Sequence, residues 1–178
     1  FRNVTGVQTC ALPILRCIVT KDGMFTRNGK KIVSVPHIYE LLEPVFCDYP
    51  DLKIDGELYN HDLRDQLNVI LSLCRKSKPT AADLKRSEEL IHYYIYDAVG
   101  LVDEGKEINE QNICKQRKAA IHTQIFDFDY TYKEKLHFVG FTEAASQEQL
   151  DKYYKSQDRK STRLNSSHVS ESRMPSSA

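Results

Sequence analysis

The two ends of this chain restrict what can fold more than anything between them. The run from Val4 to Ile14 is what a common DNA-sequencing adapter yields when translated in frame. The run from Asp158 to His168 is the reverse complement of that adapter, and Glu171 to Ala178 fits its continuation. Two ends of one adapter, in opposite orientations and in the correct order, mark residues 1–14 and 158–178 as scars to be set aside in fold reasoning. The expectation is a partial domain over 15–157, with 158–178 disordered.

This changes what the composition says. The whole chain balances 25 basic against 25 acidic residues. Removing Arg2, Arg159, Lys160, Arg163 and Arg173, with Asp158 and Glu171, leaves 20 basic and 23 acidic, a net of −3. Bulk charge therefore gives no support to a nucleic-acid partner, although a local basic face remains open. Of five cysteines, Cys10 lies in a scar; Cys17, Cys47, Cys74 and Cys114 form no Cys-x-x-Cys pair and read as reduced structural thiols. No apolar run reaches the length of a membrane span.

The patterning between the scars mixes strands and helices irregularly. Arg16 to Thr20 and Met24 to Arg27 are β-rich runs around Lys21-Asp22-Gly23, a strong hairpin signal. Pro36 to Glu43 predicts a helix ending near Pro44, and Leu52 to Tyr59 alternates like a half-buried strand. Within that strand Gly56 marks a close approach of backbone or ligand. Asp62 is placed to cap a helix through Leu63, Leu67, Ile70, Leu71 and Cys74. Thr80 and Asp83 approximate a capping box for a helix to Glu89. Leu90 to Val99 reads as a central strand, Asn109 to Ile125 as a helix and Leu136 to Phe141 as a strand. Ser146 to Lys155 reads as a helix capped by Ser146, with Gln149 three residues on. The expected class is α+β, with mixed, largely antiparallel sheets and packed helices.

No phosphate-cradling Gly-rich loop, zinc site or nucleophile elbow is present in the sequence, and His37, His61, His92, His122 and His137 are scattered. What stands out is an ordered set: Arg16, then Arg27-Asn28-Gly29, then Asp55-Gly56-Glu57-Leu58-Tyr59, then Tyr93-Tyr94-Ile95-Tyr96-Asp97. Side-chain alternation puts Tyr94 on the same face as Tyr96, with Tyr93 and Ile95 facing the other way. Lys21-Asp22-Gly23 invites a reading as a covalent lysine motif, but an exposed hairpin tip cannot desolvate a lysine and lower its pKa.

That ordered set resembles the adenylation domain of ATP-dependent DNA ligases, in particular the shorter phage and bacterial kinds. The resemblance covers residues 15–157 and implies an incomplete, ATP-grasp-like nucleotidyltransferase domain. The family's first motif is Lys-x-Asp-Gly-x-Arg, whose Lys becomes adenylated. Arg16 falls at the motif's Arg, which puts the Lys position at Ala11 and the Gly position at Ile14, so the nucleophile is expected to be missing and the chain inactive. Glu57 is then expected to accept a hydrogen bond from an ATP ribose hydroxyl and to help organise the metal site, where an ionised carboxylate is a strong acceptor. Tyr96 corresponds to the aromatic that stacks on adenine, with Tyr94 as the fallback. Arg27 matches a segment that contacts the 5′-phosphate side of a nick, a task suited to a guanidinium. The family's later Glu-Gly and Lys-x-Lys motifs are not found.

The resemblance further implies ATP and Mg2+ as cofactors, nicked double-stranded DNA as partner, a monomer, and a cytoplasmic setting in DNA repair, replication and recombination. Two other readings stay open. One is an RNA ligase or capping-type nucleotidyltransferase on the same fold; the other is a non-catalytic nucleotide- or DNA-binding module.

Overall fold

The computed structural model describes residues 15–103, 106–109, 114–126, 134–140 and 146–161. The adapter-like segment 1–14, with Ala11 and Ile14, lies outside them. The described residues up to 140 belong to one compact unit and 146–161 to a second.

The first unit is built on a six-stranded sheet. Strands β1 (Arg16–Thr20) and β2 (Gly23–Thr26) form the hairpin that Lys21-Asp22-Gly23 announces, with Gly23 at φ +122°. That conformation is open to glycine and strained for other residues. The turn is tied down by Tyr39, whose hydroxyl donates to the Lys21 carbonyl at 2.6 Å. Adding β3 (Lys31–Ile32), β4 (Lys53–Tyr59), β5 (His92–Val99) and β8 (Leu136–Phe138) gives the order β3-β2-β1-β4-β5-β8. All neighbours are antiparallel except β5 and β8, which run parallel. The architecture is α+β with a mixed, largely antiparallel sheet, as the sequence patterning predicts.

One face of the sheet is the core. Cys17, Val19, Ile54, Leu58, Tyr93, Ile95 and Leu136 are all buried there and join Ile38, Leu42 and Phe46 of α1 (Pro36–Asp48). Helix α1 does not stop at Pro44. The proline removes one backbone donor, yet the helix runs on to Asp48, carrying Phe46 into the core and stacking it against Tyr39. Burial of one aromatic ring outweighs the lost hydrogen bond.

The helix expected from Asp62 is split. Asn60 accepts from the Asp62 backbone at 2.8 Å and caps a 3-10 turn, His61–Leu63, so α2 (Leu67–Cys74) starts only after Gln66. Asn60 also donates to the Leu90 carbonyl at 2.8 Å, which fixes this turn to the far end of α3 (Ala81–Leu90). Helix α3 has the full capping box between Thr80 and Asp83. Lys76 bonds the same carboxylate, and this bond, ahead of those from Thr80, draws the Asp83 pKa down to about 2. Two buried serines lock the helical layer: Ser34 donates to the Cys74 carbonyl and Ser87 to the Ser34 carbonyl, each at 2.7 Å.

The predicted helix from Asn109 begins later. A small hairpin of β6 (Leu101–Asp103) and β7 (Lys106–Ile108) comes first, and α4 (Cys114–Ile121) then passes into a π-helical turn, His122–Phe126. Thr123 explains the change of pitch: its hydroxyl donates back to the Ala119 carbonyl at 3.0 Å and competes with the backbone ladder. Strand β8 is shorter than expected, ending at Phe138, and Phe141 is outside the described residues.

The second unit contains α5 (Gln147–Ser161), capped as predicted by Ser146, which accepts from the Gln149 backbone at 3.2 Å. It runs past Lys155 into the stretch expected to be disordered, because residues 156–161 include no glycine or proline to stop a helix. Residues 162–178 lie outside the described part.

Candidate nucleotide site

Strand β4 positions the site through a single irregularity. Its register with β5 shifts between Asp55 and Gly56, so Asp55 pairs with Asp97 and Gly56 with Ile95, and Tyr96 is the extra residue of a bulge. Gly56 is required there. A Cβ at this position would sit 2.5 Å from the Tyr94 carbonyl oxygen and 2.6 Å from Cζ of Tyr93. The close approach anticipated at Gly56 is therefore to a buried protein ring. The Tyr93 hydroxyl donates to the Cys17 carbonyl at 2.8 Å, with the Ile54 carbonyl at 3.2 Å, so the ring is pinned beneath the three central strands.

The face opposite the core carries polar and aromatic side chains in rows. Arg16 pairs with Glu57, Glu57 with Tyr94, and Tyr94 with His137, one row across β1, β4, β5 and β8. The next row holds Ile18, Asp55 and Asp97, with Tyr96 projecting between the two. Arg16, Glu57 and Tyr96, singled out in the sequence, thus share one patch. Glu57 is 5% exposed, a deeply buried carboxylate on an otherwise half-open surface.

Arg16 forks onto Asp55: Nε donates to Oδ1 at 2.8 Å and Nη2 donates to Oδ2. This contact, more than any other cause, raises the arginine's pKa further. For Tyr96, burial is the first cause and the Asp55 charge the second, and both hold the phenol protonated. Tyr96 therefore offers a neutral ring beside two carboxylates.

The same face holds further aromatic and charged residues, some inside the sequence motifs and some outside them. Tyr94 stacks on His137 with centroids 4.5 Å apart and meets Tyr59 edge-on at 5.5 Å. His137 in turn stacks beside His92, and their Nε2 and Nδ1 atoms are 2.8 Å apart. Burial first, then Lys135, lowers both histidines, His92 to about 4. Asp97 is gripped by Arg117 of α4, with Nε to Oδ1 and Nη2 to Oδ2 both at 2.7 Å. Period-2 alternation marked Tyr94 in advance; nothing local marked His137 or Arg117, which arrive from 40 and 20 residues further along.

Arg27 lies just beyond the end of β2. It follows Thr26, the partner of Cys17, and leaves the sheet at the Arg16 end in an exposed turn closed by Gly29 at φ +75°. Lys21 lies at the other end of β1, exposed, and roughly 15 Å from Arg16 by strand rise. An open recess of about 440 Å³ beside Lys21, lined by Thr20, Asp51, Lys53 and Gly100 among others, is likewise separate from the Glu57 patch. Among the described residues no group of three or more His, Cys, Asp or Glu side chains is placed to hold a metal ion. Asp55 is engaged by Arg16 and Asp97 by Arg117, and Glu57 is the third carboxylate of the patch. Mg2+ is commonly held by one or two carboxylates plus substrate phosphates, a requirement this patch meets only with nucleotide present.

The fold is one found in solved DNA ligase structures. A structure from work on Lig E DNA ligases, described as DNA binding with a minimal scaffold, superposes with a TM-score of 0.54 at 17% identity over 83% of this chain. Structures named Pmar-Lig_Pre and Pmar-Lig_PreS3 superpose with TM-scores of 0.55 and 0.51, at 13% and 18% identity, over 82% of this chain. The chain spans 48% of the first and 33% of each of the others. No protein-family model and no curated protein matches the sequence. Among the described residues no helix is long and apolar enough to cross a membrane.

Proposed function

We propose that this chain is part of the adenylation domain of an ATP-dependent DNA ligase, and that the patch around Glu57 receives the adenosine of ATP. The observation that carries this reading is the convergence of Arg16, Glu57 and Tyr96 on one sheet face, on a fold shared with DNA ligases. Glu57 accepts from a ribose hydroxyl, a charge-assisted bond about twice as strong as a neutral one. The Tyr96 ring stacks on adenine. Arg16, held at Nε and Nη2 by Asp55, keeps Nη1 for a phosphate oxygen. Mg2+, when bound with the nucleotide, would supply charge neutralisation at the phosphates, and Glu57 would help to hold it.

In the parent enzyme the adenylate is carried by a lysine and passed to the 5′-phosphate of nicked double-stranded DNA, where Arg27 contributes a phosphate contact. In this chain Lys21 is too far from Arg16 and Glu57 to serve, so ATP binds without a covalent adduct. The protein acts as a monomer in the cytoplasm, in DNA repair, replication and recombination.

Equilibrium binding of ATP with Mg2+ tests this. Glu57→Gln and Tyr96→Ala should each weaken binding about tenfold, in line with the ~1–3 kcal/mol of base–aromatic stacking for the latter. ATP affinity in both variants equal to that of the parent chain, or a lysyl-AMP adduct on Lys21, would overturn the reading.

A further inference from the structure

The bulge at Tyr96 needs an explanation, because an extra unpaired residue weakens a strand ladder. Without it, regular alternation would send Asp97 to the core face with Tyr93 and Ile95, and Ala98 outward. With it, Ala98 is buried and Tyr96 and Asp97 both lie on the half-open face. What distinguishes the two registers is the destination of one carboxylate.

Arg117 decides that destination. It reaches Asp97 through two parallel bonds of 2.7 Å, and the pair is well sheltered, with side-chain exposures of 16% for Arg117 and 31% for Asp97. Oδ1 of Asp97 also accepts from the Ala98 backbone at 3.0 Å, which ties the same carboxylate to the strand just past the bulge. Helix α4 is itself held rigid. Ala120 and Ile121 are buried, and the next cation, Lys118, donates to the Val139 carbonyl at 2.6 Å beside the Phe138 ring. Through these two consecutive cations the helix is tied both to the bulge of β5 and to the exit of β8.

We propose that Arg117 is a positioning residue for nucleotide binding, holding the bulge through Asp97 so that the Tyr96 ring stands out from the sheet to meet the base. This rests on the adenine-stacking role given above to Tyr96. Arg117 touches no nucleotide; it acts through Asp97 on the strand that presents the ring. A lysine cannot replace it, because a single ammonium lacks the fork that fixes both carboxylate oxygens.

The test compares ATP with ribose 5-triphosphate, which has the sugar and phosphates but no base. Arg117→Ala should weaken ATP about tenfold, the scale of one stacked base, and leave the base-less compound unchanged. In the Tyr96→Ala background, Arg117→Ala should weaken ATP no further. Arg117→Lys, with its charge kept, should show the same selective loss and guards against a poorly folding alanine variant. The exchange Asp97→Arg with Arg117→Asp should restore ATP binding. If Arg117→Ala and Arg117→Lys weaken both ligands equally, the residue is only structural and the proposal falls. If Tyr96→Ala leaves ATP affinity unchanged, the adenine reading fails and takes this one with it. If Tyr96→Ala weakens ATP and the Arg117 variants do not, the positioning role alone is wrong.

Discussion

The two faces of the central sheet obey opposite rules although they are made from the same strands. On one face Cys17, Val19, Ile54, Leu58, Tyr93 and Ile95 are packed against helices, and the single polar atom among their side chains that needs a partner, the Tyr93 hydroxyl, has backbone carbonyls to donate to. On the other, Arg16 with Asp55 and Arg117 with Asp97 form ion pairs, and Tyr94 stacks on His137, on the half-open surface that also carries Glu57 and Tyr96. The first face stabilises by removing apolar area from water, about 25 cal/mol per Å2. On the second, the partly exposed Arg16–Asp55 pair is worth about 0–1 kcal/mol.

Three consecutive residues allow the contrast to be broken. Ile54 faces the core, Asp55 the open face, and Gly56 the contact between β4 and Tyr93. Ile54→Ala should cost the most, about 2–5 kcal/mol in urea unfolding. Gly56→Ala should cost about 1–3 kcal/mol, since the new methyl overlaps a pinned ring and a backbone oxygen. Asp55→Asn should cost less than about 1 kcal/mol, its ion pair with Arg16 being partly exposed. If Asp55→Asn proves as costly as Ile54→Ala, the division of labour between the faces is wrong.

Acid sharpens the comparison from the side of the open face. Folding lowers the His92 pKa from the usual 6.5 to about 4, so the unfolded chain binds more protons throughout that window. Stability therefore falls as pH drops from 6.5 towards 4, and the loss is complete below the folded value. His37 and His137 are lowered too and act in the same direction. Asp83 does not contribute until lower pH, since its stabilisation is lost only between about 3.8 and about 2. With solvent screening, His92 accounts for on the order of 1 kcal/mol. Unfolding midpoints at pH 7 and pH 4.5 should differ less in His92→Asn than in the parent chain; an unchanged difference would remove His92 as the cause.

The legible parts of the fold are those decided within a few residues. Lys21-Asp22-Gly23 makes its hairpin because glycine alone accepts the φ found there. Thr80 and Asp83 make their capping box, and Ser146 its cap, because the bonded groups are three residues apart. The placing of Tyr94 and Tyr96 on one side follows from alternation, which also separates them from Tyr93. Illegible were the features settled by partners far along the chain. Pro44 would end a helix that had no core to reach, and Asp62 would start one if Asn60 did not take the capping role. The three-residue strands β6 and β7 are too short to show a period.

What the sequence determined by itself is the longer strands, the first hairpin, the caps at Thr80 and Ser146 and the shared face of Tyr94 and Tyr96, all properties of local geometry. The tertiary structure alone decided that β8 would pair parallel with β5 and bring His137 to Tyr94. It also decided that a bulge opposite Gly56 would put Tyr96 and Asp97 on the same face, and that Arg117 would be there to hold it. The physical reason is that a β-strand's side chains repeat every two residues. One inserted residue reverses all that follow, and the partner that Asp97 meets on the reversed face, Arg117, lies on another element.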